Sequence, residues 1–184
     1  MARERPVPLA CFITFSCYGH RLHGAEAGSV DRRGHVFGAF RLPADSALET
    51  LELANMRQAP YQLSPEARGS VLATIKQVCS YRGWLLLAAH VRTAHVHLVV
   101  RAHAAPERVM NDCKAYASRN LNLIEPGSRD RKRWARHGST NYLWKVEDVE
   151  AAIQYAAEEQ DEPMALFKDD NWLAKLRKAT GPRA

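Results

Sequence analysis

Three features of the 184-residue chain predict an α+β fold built on one antiparallel sheet. Short β-branched and aromatic runs alternate with long amphipathic stretches in the order strand, helix, strand, strand, helix, strand. A link of three residues, 92–94, joins the middle two strands, which fits a hairpin and excludes a crossover. Hydrophobic residues make up 46% of the chain, enough for a normal core. The β-α-β-β-α-β order is that of ferredoxin-like, RRM-like folds, with the helices on one face of the sheet.

The run LACFITFSC at 9–17 is apolar and β-branched and reads as a buried strand. Residues 18–64 are rich in Gly, His and Arg, without periodicity, and read as a long insertion ending in a short helical piece near 46–58. Ser64 followed by Pro65 is an N-cap with proline at the first helical position. The helix it opens places Val71, Leu72, Ile75, Val78 and Cys79 on one face, and Gly83 ends it. WLLLAAHV and HVHLVVRA are the hairpin strands. Pro106 opens a second helix with Val109, Met110, Cys113 and Ala117 at helical spacing. A basic loop at 125–140 leads to a short fourth strand, NYLWKV, and then to a third helix, EDVEAAIQYAAEEQDEP, which Pro163 stops. The tail from 165 reads as a last amphipathic helix. The chain is thus expected to form one domain, 1–184, with a core at about 9–165, a loop-rich insertion at 18–64 and a tail helix at 166–184.

The net charge is +6 and the isoelectric point about 9.3, a balance that suits an anionic partner, nucleic acid above all. Cys11, Cys17, Cys79 and Cys113 form no CxxC pair and sit in apolar surroundings, as free thiols of a reducing compartment do. The N-terminus lacks the apolar run of a signal peptide, and no segment has the length of a membrane span, so a cytoplasmic location is expected.

The chemistry centres on TAHVHLVVRA. Alternate residues of a strand share a face, so His95 and His97 point the same way while Val96, Leu98 and Val100 face the helices. The histidine side of the sheet is expected to be open, a place to lay a nucleic-acid strand. Two imidazoles can share a cation only with a third ligand from elsewhere. By themselves they read more readily as two histidines on a solvated sheet face. A histidine triad is broken by Val99, and the paired His-x-Thr/Ser motifs of two-motif phosphoesterases are missing.

HVHLVV on a central strand, then MNDCKAYASRNLN on a helix, then AAIQYAAEEQ on a late helix resembles the HUH single-tyrosine transposases, including the REP-associated tyrosine transposases. The stretch HGSTNYLWK ahead of the tyrosine is also similar to that group. The resemblance covers roughly residues 9–165 in motif order and spacing. It implies a C-terminal tyrosine-bearing helix and a divalent metal, Mg²⁺ or Mn²⁺, held by His95, His97 and a polar residue of that helix. It implies cleavage of single-stranded DNA by a tyrosine, through a 5′-phosphotyrosine link that a later 3′-hydroxyl reverses. Imperfect hairpins are the expected targets, and a homodimer with shared sites is compatible with the likeness.

Tyr155 is the expected nucleophile. A tyrosine has a pKa of about 10 and needs a metal or base beside it to attack at neutral pH. Glu159 lies four residues on, on the same helix face, and binds hard cations. Relatives commonly carry an amide there; Gln160 matches that chemistry but points about 100° away on an α-helix. Glu159 is preferred as third ligand, with Gln160 the alternative. Tyr116 is the rival nucleophile, read as a packing or phosphate-contacting residue.

DNA contact is expected from RDRKRWARHGS, where Arg129, Arg131, Lys132, Arg133 and Arg136 surround Trp134, and more weakly from Lys114 and Arg119. Arg32 and Arg33 are further basic residues of the insertion, whose His20, His23 and His35 are too irregularly spaced for a metal site. Two other readings compete. A non-catalytic RRM-like binding module would want the paired aromatics that HLVVRA lacks. A replication or relaxase nickase shares the histidines but is generally longer.

Overall fold

The structure is a computed structural model, and it describes residues 7–20, 56–127, 129–157 and 164–180. Its elements are β1 (Ala10–Cys17), α1 (Pro65–Arg82), β2 (Leu85–Val91), β3 (His95–Arg101), α2 (Pro106–Ile124), β4 (Trp134–Leu143), α3 (Val146–Ala157), β5 (Ala165–Lys168) and α4 (Trp172–Thr180). The expected helical piece near 46–58 falls almost wholly outside the described residues. So does the stop of the third helix at Pro163.

The local signals act as read. The Ser64 hydroxyl accepts from the Ala67 amide at 3.1 Å, satisfying an N–H that the first turn of α1 leaves without a helical partner. Gly83 closes the helix in the left-handed region, φ +67°, where a side chain would be strained. The five strands run β4-β1-β3-β2-β5, every neighbour antiparallel. That is the ferredoxin-like order extended by β5 at the β2 edge.

The sheet is covered on both faces. Ile13, Phe15, Val96, Leu98 and Val100 meet Val71, Ile75, Val109 and Cys113 of α1 and α2 on the expected face. On the other face Phe12, Leu87 and Val99 meet Val149, Ala152, Ile153 and Ala156 of α3 and Leu176 of α4. The histidine face is therefore not open: the tyrosine-bearing helix lies across it. The cause is visible in the strands, since Phe12 and Val99 would otherwise be apolar side chains facing water.

Two elements differ from expectation. The fourth strand begins at Trp134, so half of the supposed basic loop is strand, and Val146 opens α3. The tail begins as strand β5 on the free edge of β2, which supplies hydrogen-bonding groups the local sequence does not advertise. Among the described residues, no helix is long and apolar enough to cross a membrane.

β4 is held at a bulge. Phe15 pairs with Gly138 and Cys17 with Trp134, so β4 carries extra residues between them. Lys114, expected at a DNA surface, is buried there instead and donates to the carbonyls of Ala135 (2.9 Å) and His137 (3.1 Å). Arg133 is likewise buried, bonded to Asn122 (2.7 Å) and Glu125 (3.1 Å). The Trp134 indole donates to the Lys114 carbonyl and the Ser118 hydroxyl and lies edge-on against Phe15, 5.2 Å between centroids. These three residues pin β4 to α2; Lys114 and Arg133 are buried in that use, and Trp134 is half-buried.

A Cβ on Gly138 would stand 2.5 Å from the Thr14 carbonyl and collide with Met110. Gly138→Ala is expected to destabilise the fold by about 1–3 kcal/mol, read by urea unfolding.

Stability should also fall in alkali. Burial, then Glu107, pushes the Cys11 thiol up to about 11, and burial pushes Cys17 and Cys79 to about 12. Burial likewise raises Cys113, and burial with the bond to Glu125 raises Tyr61. Above the ordinary thiol value of 9.0 the unfolded chain releases these protons while the folded chain keeps them, so stability drops as pH rises. Burial pushes Lys114 down from 10.5 to about 8, which acts oppositely between those values. Unfolding free energy is expected to decline above pH 9; Lys114→Met should lower stability by about 1–3 kcal/mol at neutral pH and by more as pH rises toward 10.5, which steepens the decline.

Candidate active site

β1, β3 and β2 lie side by side in a register that pairs Thr14 with His97 and His97 with His90. Directly paired residues share a face, so the three side chains form a row across the sheet. His95, one step along the same face, pairs with Ser16.

His97 is buried, 2% exposed, and its Nδ1 lies 2.8 Å from the Thr14 hydroxyl. A hydroxyl on Nδ1 orients the ring and makes Nε2 the nitrogen suited to a ligand. The half-buried His95 ring stands nearly perpendicular to it, centroids 4.8 Å apart. Both histidines are thus on one face, as the two-residue spacing requires, and their rings touch.

Tyr155 arrives from α3. Val149, Ala152, Ile153 and Ala156 recur at helical spacing and bury one face of the helix against the sheet. Tyr155 sits at the margin of that face, half-buried, its ring 5.7 Å from His97. Phe12 wedges beside both, stacked on His97 at 5.7 Å and edge-on to Tyr155 at 5.8 Å. A rigid aromatic between the two rings limits how each can turn. Phe12 went unsingled in the sequence; its place opposite Val99 in register is what brings it here.

Tyr116 lies on the far side of the sheet, against the α1–α2 core, with the Arg119 guanidinium 4.9 Å over its ring. The third-ligand candidates Glu159 and Gln160 lie outside the described residues. Among the described residues no three His, Cys, Asp or Glu side chains converge as a metal site. His20 is the one insertion histidine described, stacked on His95 at 6.4 Å, so it adjoins the site although its spacing carried no signal. His23, His35, Arg32 and Arg33 fall outside the described residues.

His90 was also not foreseen. It is fully buried, and both ring nitrogens are engaged: Nδ1 at 2.8 Å from the Ala156 carbonyl, Nε2 accepting from the Met164 amide at 3.1 Å. Burial pushes its pKa below the usual 6.5, against the opposing bond to Ala156 and with help from Arg92.

Of the basic residues, Arg119, Arg129, Lys132 and Arg136 are exposed. Arg131 donates to the carbonyls of Ala59 (2.6 Å) and Pro60 (2.9 Å), and Lys132 lies over the Tyr18 ring at 5.5 Å, so the loop is stitched both to the segment before α1 and to the residue after β1.

Two solved structures are similar over most of this chain. One is a REP-associated tyrosine transposase bound to a REP hairpin, 12% identical with a TM-score of 0.46, covering 86% of this chain and 71% of that one. The other is a candidate transposase from Deinococcus radiodurans R1, 15% identical with a TM-score of 0.43, covering 87% of this chain and 96% of that one. No curated protein matches. The family model described as IS200-like transposase matches residues 57–152, which include both histidines and much of α3. With more than half of its length matched, the chain belongs to the IS200-like transposase family.

Proposed function

We propose that this transposase cleaves and rejoins single-stranded DNA with Tyr155 as nucleophile, in a metal-dependent reaction that passes through a 5′-phosphotyrosine link. The observation that carries the reading is the approach of the Tyr155 ring to within 5.7 Å of His97, from a separate helix, on the face that also holds His95. Tyr116, the rival, is on the opposite side of the sheet.

The donor set suits a hard divalent ion. His95 and His97, with Glu159 or Gln160, would hold Mg²⁺ or Mn²⁺, and the Thr14 hydroxyl would set the His97 ring for that task. When bound, such an ion offsets charge on the oxygens of the scissile phosphate. Tyr155 forms the new P–O bond and loses its phenolic proton. The bond from phosphorus to the 3′ oxygen breaks, and that oxygen takes up a proton to leave as a 3′-hydroxyl. The phosphotyrosine ester keeps the bond energy, so a second 3′-hydroxyl can displace the phenol and rejoin DNA without a nucleotide cofactor. Arg129 and Lys132, exposed on the segment leading into β4, and Arg136, exposed on β4 itself, are the proposed phosphate contacts, and Arg119 a weaker one. Strands with imperfect hairpins, in transposition or in processing of repeats, are the substrates the resemblance suggests.

Incubation with hairpin-bearing single-stranded DNA and Mg²⁺ or Mn²⁺ should yield a protein–DNA adduct that survives a denaturing gel. Tyr155→Phe is expected to abolish the adduct and Tyr116→Phe to retain it; the reverse pattern would refute the assignment. Chelation by EDTA should abolish cleavage, with either ion restoring it.

Binding should weaken steeply with salt, and removal of Lys132 or Arg136 should each shallow the log–log slope by about 0.7. A salt-independent affinity would count against these contacts.

A further inference from the structure

We propose that His90 is a positioning residue that holds the Ala156 carbonyl of α3 and the Met164 amide ahead of β5 to the sheet beside His97, and thereby sets Tyr155 over the site. The inference rests on the assignment of Tyr155 as nucleophile.

His90 stands on β2 directly opposite His97 on β3, so its ring is anchored next to a member of the histidine pair. One nitrogen meets the carbonyl of Ala156, the residue after Tyr155; the other meets the amide of Met164, where the chain re-enters the sheet ahead of β5. A carbonyl can only accept and an amide can only donate. Nδ1 must therefore carry the proton and Nε2 must be bare, a neutral ring in one tautomer. The Ala156 carbonyl lies one residue beyond Tyr155 on α3, so the imidazole grips the helix next to the tyrosine. No apolar residue of similar size does both jobs.

Glu159 and Gln160 fall between the two clipped points. The same ring thus engages the residue after Tyr155 and the residue at which the chain re-enters the sheet. Reacting groups misplaced by about 1 Å can lose about 100-fold in rate without losing substrate affinity. That split separates positioning from general structural support.

The test compares wild type, His90→Leu and His90→Gln. The readouts are single-turnover adduct formation on a single-stranded hairpin DNA with Mn²⁺, DNA affinity by anisotropy, and NMR of the imidazole nitrogens and the Met164 amide. Wild type should show a protonated Nδ1, a bare Nε2 and a slowly exchanging Met164 amide. His90→Leu should form adduct about 100-fold more slowly with affinity within about threefold of wild type. His90→Gln, whose amide again offers a donor and an acceptor, should recover most of the rate. A wild-type ring protonated on Nε2, an unchanged rate in His90→Leu, or parallel losses of rate and affinity would overturn the proposal. If His90→Leu does not fold, the wild-type tautomer and the His90→Gln rate decide. A wild-type chain that binds DNA but forms no adduct sinks the tyrosine assignment and the catalytic consequence with it, while the NMR still decides whether the clip exists.

Discussion

The register of three central strands is the constraint on which the site depends. Thr14, His97 and His90 face one another only because β1, β3 and β2 pair as they do. A slip of one residue in β3 would send His95 and His97 into the α1–α2 core and bring Val96 and Leu98 to the tyrosine face. The burial of Val96, Leu98 and Val100 under α1 and α2 therefore holds the histidines in place as firmly as any contact of their own. Thr14 then orients one ring, and Phe12, two residues earlier on the same face, spaces it from Tyr155.

A sheet covered on both faces separates labour. The α1–α2 side is almost wholly apolar and supplies the main core. The α3–α4 side mixes apolar packing with the polar row, so the helix that bears Tyr155 is docked by Val149, Ile153 and Ala156 while its tyrosine is left at the margin. As the proposed nucleophile, Tyr155 would need rigidity from the first and access from the second. Basic residues divide the same way. Lys114 and Arg133 hold β4 against α2 from inside, whereas Arg129, Lys132 and Arg136 remain at the surface. A basic run in a sequence cannot be sorted between these uses, because the carbonyls at a β-bulge and the carboxylate of Glu125 are placed by the tertiary fold.

Much was legible in the chain because it is local. Ser64-Pro65 and Gly83 bound a helix through backbone sterics and one hydroxyl. Alternation puts His95 and His97 on one face whatever the surroundings. Other features were illegible for equally physical reasons. β5 exists because β2 offers a free edge, and β4 starts early because Lys114 satisfies its bulged carbonyls. His90 reads from sequence as one more residue of an apolar strand; only the arrival of Ala156 and Met164 at its two nitrogens reveals a use.

By itself, then, the sequence determined the order of elements from β1 to α3, the shared face of the histidines and the family motif, all properties of periodicity and short-range stereochemistry. The tertiary structure decided which side of the sheet α3 covers, which tyrosine meets the histidines, and which basic side chains reach solvent. Those outcomes depend on long-range burial. Phe12, Val99 and Leu87 form an apolar surface that one helix face fits, and that helix brings Tyr155 to His97.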